Sequence, residues 1–255
     1  GNVLTGNLSG IYDVATYRIT GDLTINDGDT AYIHAGAEFL FDGQYNVNIY
    51  GTLSAIGTES DSIIFDNFGN EKWRGFTLDH ASDETTFEYV RISGAEKDFG
   101  GGMYLNSSNP NLTNSIMWGN NPESIYIGSG TPLITYSDIE GGWEGEGNID
   151  DNPLFFDSDH GDYTLQEGSP CIDSGAVILG MEYCGDFPDM GTYEYCEQEI
   201  LGDLNGDGII NVLDIVTMVN IVLNGGDYNS LVDLNDDGIN NILDIVQLVN
   251  IIINN

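Results

Sequence analysis

Positive charge is what this chain most lacks. Five Lys and Arg stand against 42 Asp and Glu in 255 residues, a formal net charge of −37. A surface of that sign repels nucleic acid and anionic membranes, so both are set aside as partners. It also repels polyuronates and sulfated glycans unless a divalent cation bridges them. Long apolar runs are missing too: none reaches the roughly 18 residues a membrane-spanning helix needs, and the longest, near the C-terminus, is interrupted by Asn250. Cysteine is scarce, with only Cys171, Cys184 and Cys196, and His34, His80 and His160 are scattered, so no four-ligand zinc set is spaced correctly. In an exported chain two of the three cysteines pair and one is left over; Cys171–Cys184 and Cys184–Cys196 both fit. Gly-x-Ser-x-Gly elbows, phosphate loops and His-containing metal motifs are absent. The acidity does not imply disorder, because 40% of the residues are hydrophobic and 11% aromatic, enough for a packed core. The sequence begins at Gly1 with neither Met nor a signal-type segment, the expectation for a processed, secreted protein found outside the cell or at its surface.

What the chain does have is a duplicated acidic loop. "DLNGDGIINVLD" places Asp203, Asn205 and Asp207 at positions 1, 3 and 5 of a twelve-residue loop. Gly208 follows at the sharp turn, Ile209 offers its carbonyl at 7, Asn211 sits at 9 and Asp214 at 12. A hard cation with six to eight oxygen ligands requires this arrangement. "DLNDDGINNILD" repeats it 30 residues on with Asp233, Asn235, Asp237, Ile239, Asn241 and Asp244. The spacing predicts two Ca²⁺ sites. Position 12 is Asp in both loops, where an EF-hand has Glu, so bidentate closure is less assured. Each loop runs into an apolar segment, "VLDIVTMVNIVLN" and "ILDIVQLVNIIIN", each predicted to be a helix of about three turns.

The tandem loop-helix pair, without the entering helix of a full EF-hand, resembles a type I dockerin over Leu201–Asn255. The resemblance implies that each loop binds calcium and that the helices dock onto a cohesin-like partner. Loop positions 10 and 11, which tune such docking, are the apolar Val212-Leu213 and Ile242-Leu243. Both helices are apolar on nearly every face, and a domain of about 55 residues cannot cover them alone. Either a partner protein or the rest of this chain is expected to do so.

The first two hundred residues lack helical periodicity. They read as short strands, such as "LTI", "AYIHAGAEFLF", "NVNIYGTLSAIG" and "SIIFDN", separated by Gly, Asn and Asp turns. Three strands per repeat of about 20 residues suggest a solenoid whose coils stack their inward Ile, Leu, Val and Phe. From Gly10 to Tyr195 the chain resembles right-handed parallel β-helix proteins of the pectate-lyase-like superfamily. Its "GNIDDNPLFFDSDHGDYTLQEGSPCIDSG" and "DMGTYEY" resemble their closing segment. The expected fold is thus mainly β: a right-handed parallel β-helix over 1–196 with its closing segment, then a small α-helical dockerin-like domain over 197–255 with two calcium loop-helix motifs.

The resemblance fixes fold better than function, since the fold hosts both enzymes and surface proteins. A lyase of this fold needs a Lys or Arg base. "NEKWRG" supplies Lys72 and Arg74 near Asp66 and Asp79, an arrangement that an ordinary turn with two solvated cations explains better. Asp150-Asp151 is the only adjacent carboxylate pair considered for hydrolysis, and strand neighbours point to opposite faces. Trp73, Trp118, Trp143, Tyr104 and Tyr126 are the candidates for a sugar-stacking strip, against the alternative of stacks inside the solenoid. Asn7, Asn106 and Asn111 are glycosylation acceptors if the source modifies such sequons. Only "EQEI" separates the two domains, with no Pro/Thr/Ser-rich spacer of the kind that lets a catalytic module roam. No catalytic residue is therefore assigned. The expected function is a secreted, non-catalytic structural protein that assembles into a filament or surface layer, docking through its C-terminal helices onto copies of itself. The alternative is a polysaccharide-binding or lyase-like β-helix subunit carried on a separate cohesin scaffold.

Overall fold

The computed structural model describes residues 2–158, 161–191, 193–196, 200–206, 209–224 and 229–254. It divides into two compact units, Gly1–Cys196 and Glu197–Asn255. The first is a mainly β, parallel solenoid of about five turns.

The coils run in chain order. β1 (Asn2–Asn7) and β2 (Gly10–Tyr12) come first, then β3 (Thr16–Ile25), which bends across two faces, and β4 (Thr30–His34). Three-strand coils follow: β5 (Glu38–Phe41), β6 (Val47–Ile49) and β7 (Thr52–Ile56), then β8 (Ile63–Asn67), β9 (Phe76–Asp79) and β10 (Thr86–Glu88). The next are β11 (Val90–Ser93), β12 (Met103–Asn106) and β13 (Asn111–Thr113), then β14 (Ile116–Trp118), β15 (Ile125–Ile127) and β16 (Leu133–Thr135). β17 (Asp138–Ile139) begins another turn. Every pairing along the solenoid is parallel, giving three faces: β3-β5-β8-β11-β14-β17, β3-β6-β9-β12-β15 and β2-β4-β7-β10-β13-β16.

Because strand side chains alternate, each face sends every second residue inward. On the first face one such ladder is Tyr17, Phe39, Phe65, Ile92, Met117 and Ile139. The second contributes Leu23, Val47, Phe76, Met103 and Ile125, and the third Ile33, Ala55, Phe87, Leu112 and Ile134. These ladders meet in one continuous cluster. On the first face Thr16, Glu38, Ile64, Arg91, Ile116 and Asp138 are successive partners, so a coil there takes 22 to 27 residues rather than about 20. The extra length sits in corner loops: residues 57–62 before β8 in the coil that starts at Glu38, and residues 68–75 and 94–102 after the first face in the next two. The corner between the third and first faces is tight and built the same way three times. Tyr89, Asn114 and Tyr136 all adopt left-handed φ of 47–49°. Beside them the Ser115 and Ser137 hydroxyls donate to the Thr113 and Thr135 carbonyls and accept from Val90 N and Ser115 N in the coil before.

The closing segment lies along the side of the solenoid. After the hairpin β18 (Phe155–Asp157) and β19 (Asp162–Leu165), Cys171, Met190 and Tyr195 pack on the outer surface of the first face. Ile116 is buried there with Leu165, Cys171 and Met190. Gly191 passes Ile116 so closely, at a φ of 86°, that a Cβ would collide with its side chain. Asn114 ties the segment down, donating to the Ala176 carbonyl at 2.8 Å and accepting from Ala176 N at 2.7 Å. Cys184 and Cys196 form a disulfide and Cys171 is a buried free thiol, which resolves the two pairings the sequence allowed.

The second unit contains α1 (Val212–Asn224) and α2 (Ile242–Asn254), which pack through Met218, Val232, Leu234 and Leu248. No helix among the described residues is long and apolar enough to cross a membrane.

Candidate metal loops and surface cleft

Around the aspartate that ends each acidic loop and the asparagine that caps the following helix, the two loops make the same bonds. Asp214 Oδ1 accepts from Leu204 N and Asn205 N at 2.9 and 3.2 Å, and its Oδ2 accepts from Asn211 N at 2.8 Å. Asp244 accepts from Leu234 N, Asn235 N and Asn241 N at 3.0, 3.3 and 2.8 Å. Asn211 and Asn241 cap the helices, accepting from Leu213 N and Leu243 N and donating to the Ile209 and Ile239 carbonyls. Asp203 Oδ1 accepts from Gly206 N, and Asp233 from Asp237 N and Gly238 N. Asn235 donates to Asp237 Oδ2 at 3.1 Å. Asp207 and Gly208 lie outside the described residues.

Four carboxylates are consequently buried: Asp203, Asp214, Asp233 and Asp244 expose 8, 0, 5 and 0% of their surface. Burial pushes against the charge of Asp214, but the N–H groups of Asn211, Leu204 and Asn205 outweigh it and hold its carboxyl below the usual range. The unit 197–255 contains no Lys, Arg or His, so no side chain of its own can supply a positive counter-charge. Buried charge is tolerated only when paired or bound to a metal. Among the described residues no three His, Cys, Asp or Glu side chains converge on a point. The donors available are instead mixed carboxylate, amide and carbonyl oxygens, the set a hard cation takes, and in that respect the residues fit calcium.

Outside the loops the same duplication appears in apolar side chains. Ile209, Val212, Leu213 and Val216 in the first repeat, and Ile239, Ile242, Leu243 and Val246 in the second, are each more than half exposed. Packing of α1 on α2 buries one side of each helix and leaves this one open.

The other sequence candidates fall in different places. Trp73 is fully buried, stacked on Phe41 at 4.2 Å and donating Nε1 to the Ser93 carbonyl, so it belongs to the core. Trp118 packs against the closing segment's cluster and Trp143 against the main core. Tyr104 and Tyr126, one coil apart on the second face, do stack, 5.7 Å between centroids and 9° from parallel. Lys72 and Arg74 are not joined by Asp66 and Asp79. Asp66 pairs instead with the buried Arg91 at 2.8 Å, whose guanidinium lies 3.3 Å from the Tyr163 ring centre in a cleft of about 540 Å³ under the closing segment. Asp79 accepts from Asn106 and contacts His80, both at 2.7 Å, which also engages the Asn106 amide of one sequon. Asp150 accepts from Gly141 N, and Asp151 N donates to Asp138.

Arg74 meets Lys97, another of the chain's five cations, a pairing the sequence did not indicate. The two line a cleft of about 400 Å³ on the second face with Asp22, Asn46, Asn48, Thr77, Asp98, Phe99 and Tyr104. Lys97 Nζ donates to the Phe76 carbonyl and Thr77 Oγ1 at 2.9 and 3.1 Å. Burial, and then the charge of Arg74, lower its pKa to about 8. The two stand 23 residues apart, about one coil, and the Trp73–Ala95 bridge aligns their turns; only a coil count could have brought them together.

Compared with protein-family models, with curated proteins and with solved structures, the chain matches none. Its own residues therefore carry its functional reading.

Proposed function

We propose that this protein is a secreted, non-catalytic structural subunit whose solenoid is joined to other copies of itself, outside the cell, through a calcium-folded, dockerin-like C-terminal unit. One observation carries the reading: two matched loops bury four carboxylates in a unit that has no cationic side chain. Calcium, when bound, supplies that missing charge. Asp203, Asn205, Asp207, Asn211 and Asp214, with the Ile209 carbonyl, hold it in the first loop. Asp233, Asn235, Asp237, Asn241 and Asp244, with the Ile239 carbonyl, hold it in the second. The loops in turn fix the start of each helix, and with it the duplicated exposed aliphatic side chains that Val212-Leu213 and Ile242-Leu243 begin. Exposed apolar patches of this kind are covered in use by a protein partner.

The test is light scattering and electron microscopy of the purified full chain in millimolar calcium. Rods or rings that grow with concentration are expected. Monomers at every concentration would reject self-assembly, and a chain that then binds a cohesin-like scaffold would take its place on that scaffold.

A further inference from the structure

The cleft under the closing segment, about 540 Å³, is the size of a small-molecule site. Arg91 and Asp66 line it from the first face, and the closing segment contributes Tyr163 and Tyr193. Arg91 stands on the outer side of β11, in register with Ile64 and Ile116, and is only 2% exposed. Its Nη1 donates to both Asp66 and Ser93, whereas its Nε is buried with no partner among the described residues. A buried donor left unpaired is costly, so the position is not explained by stability alone. Asp66 is held on three sides, accepting from Arg91, from Asn67 N at 2.7 Å and from the Tyr163 hydroxyl at 2.9 Å. Two aromatic side chains in the lining stay open: Phe68 is 48% exposed and Tyr193 38%. Arg18 steadies the first of them, 4.7 Å from its ring centre, while itself paired with Asp42 at 2.8 Å.

These groups select among ligand classes. An anion meets two carboxylates, Glu38 and Asp66, against the one guanidinium of Arg91, on a chain of charge −37. A metal ion finds Asp66 already paired with Arg91, and no three acidic, His or Cys side chains converge among the described residues. A neutral sugar ring meets neither obstacle. Its hydroxyls both donate and accept, and its C–H face is apolar. The lining answers both properties: Glu38 and Asp66 accept, Arg91 donates, the exposed Asn70 amide does either, and Phe68 and Tyr193 offer aromatic surface. We propose that this cleft binds a neutral glycan, with a ring packed on Phe68 and Tyr193 and its hydroxyls bonded to Asn70, Glu38 and the Arg91–Asp66 pair. The site needs no second copy of the chain, so it stands independently of self-assembly; in an assembled subunit it would fasten the assembly to a sugar-bearing surface.

The test uses the full-length protein in calcium on an array of neutral and acidic glycans, followed by calorimetric titration with the neutral oligosaccharide that binds best. Phe68→Ala and Asn70→Ala, both at exposed positions, are each expected to weaken that binding about fivefold or more without moving the melting temperature. Light scattering of the same variants is expected to match wild type. A chain that stays monomeric yet binds neutral glycan through Phe68 and Asn70 loses the self-assembly reading and keeps this one. Absence of binding to every neutral glycan on the array overturns the inference, as does binding confined to acidic glycans. Neutral binding that both variants retain at wild-type strength places the sugar elsewhere and overturns it too. Loss of assembly in both variants, with no glycan bound by wild type, makes the cleft a contact between copies and likewise overturns it.

Discussion

Asp138 and Asp214 are both fully buried carboxylates, yet their surroundings push them in opposite directions. Asp214 receives three backbone N–H bonds from neighbouring loop residues and is held below the usual carboxylate range. Asp138 has the thiol of Cys171 at 3.4 Å and one amide, too little to offset burial, and rises to about 7. The signs follow from linkage. An acid raised in the folded state binds its proton more tightly there, so the penalty of Asp138 is absent below about pH 4, grows towards pH 7 and is complete above it. The melting temperature of the solenoid should fall between about pH 4 and pH 7, and Asp138→Asn should flatten that fall by removing on the order of 3 kcal/mol of penalty. Calorimetry across that range checks it; an unchanged slope in the variant rejects the assignment. Asp214, depressed, stabilises above its unfolded value of about 4 and loses that stabilisation in acid, so the C-terminal unit is expected to weaken where the solenoid does not. Asp244→Ala removes a carboxylate from the second loop alone. If each loop binds one calcium, a hundredfold excess over its dissociation constant would stabilise each intact loop by about 2–3 kcal/mol. The variant should keep roughly half of the calcium-induced rise in melting temperature. A rise equal to that of wild type would exclude Asp244 as a ligand.

The solenoid was legible element by element because its signal is local: short alternating strands punctuated by turn residues. Coil length was misjudged because corner loops carry no periodicity. Another signal was present but unread. "SIIFDN" places Ile63, Ile64 and Phe65 in succession, and a strand apolar on consecutive positions is buried on both faces. Ile64 and Ile116 point away from the core ladder and are buried all the same, which demands a covering layer. The closing segment is that layer. Arg91 gave no local sign, since its burial depends on Asp66 one coil earlier and on Tyr163 across the chain. The two acidic loops and the helices that follow them were legible because the motif is a run of consecutive positions, whereas Lys97 and Arg74 meet only through the coil register. Asn114 shows how far the segment depends on a single corner residue. Its amide also donates to the Tyr89 hydroxyl at 2.8 Å, so it joins two coils and the closing segment. Asn114→Ala leaves buried polar groups unpaired in a left-handed corner and should cost about 2–4 kcal/mol. Limited proteolysis should then cut first within 153–196, as the chain loosens from the first face. Cleavage elsewhere at the wild-type rate, with that segment still protected, would show that other contacts hold it.

At the scale of the whole molecule, the charge of −37 opposes any packing of like copies. Two remedies differ in what they require. Salt alone shortens the range of repulsion to about 3 Å at 1 M, without regard to which residues carry the charge. On the proposed reading calcium would also act at chosen places, balancing the carboxylates of the two loops and fixing the starts of α1 and α2, which carry the exposed aliphatic side chains. Screening and site binding therefore separate experimentally. Sedimentation in 1 M NaCl with EDTA is expected to show monomers, because repulsion is weakened while the loops stay without their counter-charge. Millimolar calcium at 0.15 M NaCl should produce assembly although the general repulsion reaches further, to about 8 Å. Magnesium should substitute poorly, since it demands a smaller octahedral shell and sheds water reluctantly. Assembly in high salt with EDTA equal to that in calcium would mean that screening suffices, and would remove the two loops from the account of how copies join.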